Sequence, residues 1–238
     1  MRPFQTSEKC NALVDTYPDP TDISSAIRGG TYLDRLALLR LWISEGIPFA
    51  FRSRPMIYEA AREWMAARLQ VDPKSVTLIG SGRIGYSLSP MPKYGRKFDQ
   101  NSDLDFSVID HKLFSRVVSD YFAWEADFDL GRARPSNPAQ DRFWRENLKR
   151  LPENIVRGFI DPYKIPSWNR YRSVVDVQQT LFLLGERLKA TSEAPNVKLV
   201  TLRVYKDWRS FYGQMSLNLS LTVASLRLPE APAGGDSN

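Results

Sequence analysis

In Ser102-Asp103-Leu104-Asp105-Phe106-Ser107-Val108-Ile109, two carboxylates separated by one residue stand at the head of an apolar run. Side chains of an extended strand repeat with period two, so Asp103 and Asp105 share one face and Leu104 takes the other. Aspartate is depleted in strands, and two on one face repel unless a cation or a basic side chain neutralises them. The plain alternative is a pair of carboxylates on the solvated face of an edge strand. Upstream, Val76-Thr77-Leu78-Ile79 reads as a short buried strand and Gly80-Ser81-Gly82-Arg83 as a tight turn. A small-residue turn facing a paired-carboxylate strand is a way to hold a nucleoside triphosphate with its metal. The chemistry this points to is phosphoryl or nucleotidyl transfer.

Two better-known phosphate motifs do not fit. Gly80-x-Gly82-x-x-Gly85 has dinucleotide-binding spacing, but that motif needs a helix to start at its third glycine. Here the chain runs into Ser87-Leu88-Ser89-Pro90-Met91-Pro92. A Walker loop fails because Tyr86, not lysine, follows Gly85. Taken alone, the turn is also compatible with a glycine turn between two packed elements.

The elements that must position these residues are helices around a few strands. Residues 1–30 are polar and rich in Pro, Asp and Gly, and read as an N-terminal arm. Residues 33–45 and 55–69 read as helices, the second with Ile57, Ala61, Trp64, Met65 and Leu69 forming a buried stripe. Prolines, serines and Gly95 make residues 86–102 a long loop. Its Lys93, Arg96 and Lys97 either close over phosphates or form a solvated basic loop. Helices are expected at residues 112–124, 141–150, 174–188 and 207–221, an extended segment at 155–160 and a strand at 197–204. The expected architecture is α/β (α+β), a small mixed sheet flanked by helices with an N-terminal helical subdomain. Its parts are an arm at 1–30, a domain at 31–228 with a helical cap at 31–72, and a disordered tail at 229–238.

Composition narrows the chemistry. With 238 residues and 42% hydrophobic content the chain can bury a sizeable core. One cysteine, Cys10, excludes an intrachain disulfide, and one histidine, His111, leaves no zinc cluster. Any metal must then take oxygen ligands, which points to magnesium or manganese. His111 reads as a helix-start or surface residue. The net charge of +6 permits a polyanionic partner. No stretch is apolar enough to span a membrane, and the first residues lack the apolar region of a secretory leader, so the expected location is cytoplasmic.

Leu78-Ile79-Gly80-Ser81, a connecting segment, and Ser102-Asp103-Leu104-Asp105-Phe106 resemble the nucleotidyltransferase superfamily typified by DNA polymerase beta. The spacer, residues 82–102, is longer than in minimal members. Gly46-Ile47-Pro48, the helix to Leu69, the segment 82–90 and Leu202-Arg203-Val204-Tyr205-Lys206-Asp207-Trp208 resemble uncharacterised bacterial members, some similar to proteins encoded near antiphage defence systems.

The resemblance implies a sheet of nucleotidyltransferase type, with Asp103 and Asp105 coordinating two magnesium (or manganese) ions. Gly80, Ser81 and Gly82 would belong to the nucleotide-binding turn, and Arg83 would stabilise the leaving pyrophosphate. The implied substrate is an NTP, ATP first. The implied reaction moves NMP to a hydroxyl of protein, RNA or another nucleotide, with a possible partner protein in antiphage defence or a toxin–antitoxin pair. Such families carry a third carboxylate on a later strand. The strand at 197–204 has none, so Asp161 and Asp207 are the candidates, with Asp176 behind them. If none reaches the site, the alternative is a catalytically silent module that binds a partner protein or nucleic acid. Tyr163, Trp168 and Tyr171, beside Arg170 and Arg172, are expected to be an exposed group able to stack a base or contact RNA.

Overall fold

The structure, a computed structural model, describes residues 7–226. The tail at 229–238 and the first six residues of the arm lie outside the described residues. Four strands, β1 (Val76–Ile79), β2 (Asp103–Ile109), β3 (Phe159–Ile160) and β4 (Leu199–Tyr205), form one sheet in the order β1-β2-β4-β3. β1 runs antiparallel to β2, β2 parallel to β4, and β3 antiparallel to β4, so the sheet is mixed. A parallel neighbour needs a long crossover, and the chain from β2 to β4 supplies it with helices.

The helices are α1 (Glu8–Asn11), α2 (Pro20–Gly29), α3 (Tyr32–Leu38), α4 (Pro55–Leu69), α5 (Ser81–Ile84), α6 (His111–Asp129), α7 (Pro138–Val156), α8 (Arg172–Ala190) and α9 (Trp208–Ser225). Local chemistry sets several starts. Asp110 accepts from the Leu113 N–H at 2.7 Å, Asn137 from Gln140 and Asp207 from Ser210, each satisfying a donor the helix leaves free. α7 extends beyond the expected 141–150 and carries Pro152 within it, so only Phe159–Ile160 of the expected 155–160 segment is strand.

Period two divides the sheet into two faces. Leu78, Leu104, Phe106, Val108, Val200, Leu202 and Val204 are buried in one core with residues of α4, α6 and α8. The opposite face carries Asp103, Asp105, Thr201, Arg203 and Tyr205. Part of that face is covered by a second core, built from α2, the α3 segment and α9 through Ile23, Ile27, Leu38, Phe211 and Leu219. This corrects the reading of residues 1–30 as an arm, because Pro20 begins a helix that buries Ile23, Ala26 and Ile27. Proline is well tolerated at a first helical position. A fully buried isoleucine contributes about 1.5–3 kcal/mol, and Ile23 and Ile27 together favour docking of the segment. The expected helix at 33–45 is present but changes to a π-helical turn over Leu39–Ser44, where the Ser44 hydroxyl donates to Leu39 O at 2.9 Å. No helix among the described residues is long and apolar enough to cross a membrane.

Candidate active site

β1 delivers the chain to Gly80, whose φ of +69° and ψ of −150° belong to a region that is essentially glycine's. Ile79 pairs with Asp105 in the register, which puts the turn beside that carboxylate. A Cβ on Gly80 would lie 3.1 Å from Asp105 Oδ2. On the other side of β2, Asp105 pairs with Thr201, and the Thr201 hydroxyl donates to Asp105 Oδ1 at 2.6 Å. Asp103 is half-buried, and its Oδ1 has no hydrogen-bond partner among the described residues.

Burial pushes the Asp105 carboxyl above its ordinary 3.8, and the charges of Asp103 and Asp161 add to the rise, against the Thr201 hydroxyl and Arg203. A desolvated carboxylate beside a second one with an orphaned buried oxygen is poorly satisfied by the protein alone. That donor set, hard oxygens of paired charge, fits a divalent cation such as magnesium.

The carboxylates open into a cleft of about 530 Å³ whose lining includes Gly80, Ser81, Asp103, Asp105, Asp161 and Arg203. Lys93 and Arg96 line it as well. They are brought there by a folded-back segment rather than an open loop. Tyr86 bridges to Lys97, the Ser87 N–H donates to Arg96 O at 2.9 Å, and Gly95 N–H to Ser87 O at 2.9 Å. Thr222 of α9 pins the segment by donating to Leu88 O at 2.6 Å. A second, more apolar cavity of about 850 Å³ runs along the edge of β4, between Leu181 and Phe182 of α8 and Val197–Leu199. The two cavities meet at Asp105, Asp161, Thr201 and Arg203.

Of the expected nucleotide-binding residues, Gly80 and Ser81 line the cleft and Gly82 and Arg83 do not. Gly82 is a packing position, since a Cβ there would lie 3.1 Å from both Leu78 and Leu104. Arg83 is 2% exposed and donates from Nη1 to Ile47 O at 2.8 Å. Burial lowers its pKa. It anchors the Gly46-Ile47 turn and is not placed to meet pyrophosphate.

Asp161 alone of the three acid candidates reaches the cleft. Asp207 caps α9, and Asp176 is exposed on α8. β4 instead presents Thr201 and Arg203 on the face the carboxylates share, two polar roles that the strand's lack of an acid did not reveal. Among the described residues, no three His, Cys, Asp or Glu side chains group closely enough to hold a metal by themselves.

His111 is the exposed first residue of α6. The expected aromatic group is corrected in part. Tyr163 is 70% exposed, but Tyr171 is fully buried with its hydroxyl donating to Asp127 at 2.8 Å, and Trp168 stacks on it at 6.2 Å between ring centroids.

No protein-family model matches the chain, and no curated protein or solved structure matches it.

Proposed function

We propose that the chain is a divalent-metal-dependent nucleotidyltransferase, with a sheet of that superfamily's type, that moves NMP from an NTP to a hydroxyl acceptor. One observation carries this reading. The Gly80-Ser81 turn, the Asp103/Asp105 pair and the cations Lys93 and Arg96 line a single cleft. A triphosphate with its metal requires that combination of small turn, paired acids and bases.

Asp103 and Asp105 would hold magnesium or manganese. Magnesium is commonly bound by one or two carboxylates together with substrate phosphates, so the pair suffices to recruit one ion along with the nucleotide. When bound, the metal neutralises phosphate charge and polarises phosphoryl oxygens. Gly80, kept free of a side chain, lets the phosphates approach the backbone, and the Ser81 hydroxyl orients them. Lys93 and Arg96, which line the same cleft, balance the remaining charge. Thr201 holds Oδ1 of Asp105, which leaves Oδ2 on the Gly80 side free to face the ligand. The acceptor oxygen bonds to the α-phosphorus, the bond from that phosphorus to the β-bridging oxygen breaks, and pyrophosphate leaves. The acceptor's proton passes to solvent. The adjoining apolar cavity gives room for the nucleoside or for the acceptor. ATP is the first nucleotide to try.

A specific observation favours a second reading. Thr201 and Arg203 stand on β4 where a third acid is expected, and Arg203 offsets the charge that would otherwise attract a second ion. This supports a silent module that binds a nucleotide or a partner, of the kind found beside defence systems. Incubation with each NTP and magnesium or manganese, with cell extract as a source of acceptors, separates the two. Pyrophosphate release that disappears in Asp103→Asn/Asp105→Asn supports the transferase. Metal-dependent nucleotide binding without any release supports the silent module.

A further inference from the structure

A second set of cations lies beyond Arg203. An open cavity of about 520 Å³ between α7 and α9 is lined by Arg150, Arg157, Lys164 and Arg203, with Glu153 as the acid among its lining residues. Among the described residues no ion pair engages Arg150, Arg157 or Lys164. Arg150 lies on α7 and Arg157, the residue that caps its C-terminus in right-handed helical conformation, follows seven positions later, which puts the two on one side of the helix end. The turn bearing Lys164 is fixed because Asn147 donates to its carbonyl at 3.2 Å. On the facing wall, the Gln214 amide donates to Asn218 Oδ1 at 3.0 Å. Arg203 and Asn218 line this cavity and the carboxylate cleft alike, so the two are contiguous.

We propose that the cavity between α7 and α9 binds backbone phosphates of a single-stranded polynucleotide. Arg203 is shared with Asp105 and Asp161, which leaves Arg150, Arg157 and Lys164 as three unpaired cations around one acid. Such a set favours a polyanion, and its release of counterions drives binding. Lys93 and Arg96 line the carboxylate cleft and not this cavity, so its cations form a separate set. Tyr163, exposed and adjacent to Lys164 in the chain, lines the neighbouring apolar cavity, where its ring is open to a base of a strand that continues past Lys164. The strand's terminal hydroxyl is then the acceptor at the cleft, a step that rests on the transferase reading, whereas the binding does not.

The test is fluorescence anisotropy with a labelled short single-stranded RNA, without NTP, over a series of salt concentrations. Arg150→Gln/Arg157→Gln weakens binding severalfold and lowers the slope of log affinity against log salt by about 1.4, two contacts at about 0.7 each. Lys112→Gln/Arg134→Gln, exposed cations lining none of the cavities described, leaves that slope unchanged. Absence of RNA binding by the native chain overturns the proposal. So does binding that Arg150→Gln/Arg157→Gln leaves intact, or inorganic phosphate captured without RNA. RNA binding that persists in a chain with no turnover counts against the transferase reading alone.

Discussion

Thr201 donates its hydroxyl hydrogen to Asp105 Oδ1 at 2.6 Å, across the register that pairs β4 with β2. The bond satisfies one oxygen of a half-buried carboxylate and leaves the other toward Gly80. Thr201→Val removes the donor and keeps the shape. Losing the bond to a half-buried acceptor destabilises the fold by about 1 kcal/mol, read by urea unfolding. It also moves Asp105 further above the ordinary carboxylate range, so the acid limb of any activity profile shifts to higher pH. Unchanged stability and an unchanged acid limb would contradict the role given to Thr201.

Asp105 itself supplies a pH signature. Its carboxyl is raised from 3.8, chiefly by burial. An acid raised in the folded state stabilises the fold while it is protonated. That contribution is fully present below 3.8 and is lost as pH rises through the raised value. Asp105→Asn, which keeps the acceptor for Thr201, therefore raises the melting temperature of the metal-free protein at neutral pH. The gain shrinks as pH falls toward 3.8. Melts recorded in EDTA across that range measure it, and a neutral-pH loss speaks against the account.

Gly80→Ala meets two obstacles together, a backbone conformation that is nearly glycine's alone and Asp105 Oδ2 at 3.1 Å from the new methyl carbon. The backbone part destabilises by about 1–3 kcal/mol. The methyl also narrows the approach to the phosphates. Nucleotide affinity, measured by calorimetry on protein still folded, falls more than it does for Ser81→Ala. Equal affinities in the two variants would remove Gly80 from the binding turn.

Arg83→Met separates structure from function. The substitution keeps much of the volume but loses the charge-assisted bond to Ile47 O, worth about 1.5–3 kcal/mol, against which the relief of a desolvated charge counts in part, so stability falls. The nucleotide KM stays within twofold, since Arg83 does not line the cleft. A large rise in KM at a temperature where the variant is folded would return Arg83 to the phosphate site.

Asp127 gives the opposite pH sign from Asp105. Burial raises its pKa, but the Tyr171 hydroxyl at 2.8 Å, Arg132 at 2.8 Å and Arg170 at 2.9 Å outweigh that and hold it below 3.8. Its contribution to stability is present above 3.8 and is lost as pH falls through the lowered value. The gap in melting temperature between the native chain and Asp127→Asn is therefore open at neutral pH and closes on acidification below 3.8. A gap that stays constant with pH would show the carboxylate's charge to be irrelevant.

What could be read from the chain was whatever local periodicity writes into it. Period two put Asp103 and Asp105 on one face, and the stripe of 55–69 gave α4. Gly80 and Ser81 followed from their place between two apolar runs. What escaped depends on long-range register. Nothing near Thr201 or Arg203 says which strand they pair with, so their approach to Asp105 was invisible. Arg83 sits in a turn whose side-chain directions only the tertiary fold decides. Tyr171 looked exposed because prolines and arginines surround it, yet a buried acid 44 residues away claims its hydroxyl. The polar composition around Pro20 concealed three apolar residues at helical spacing, Ile23, Ala26 and Ile27.

The central claim is that the cleft moves the α-phosphoryl and its nucleoside, and parallel reactions with α-labelled and γ-labelled ATP plus magnesium test it most directly. The account predicts label in an acceptor from the α-position only, γ-label recovered as pyrophosphate, and both lost in Asp103→Asn/Asp105→Asn. Transfer of the γ-label, or α-label transfer that survives in that variant, would contradict it.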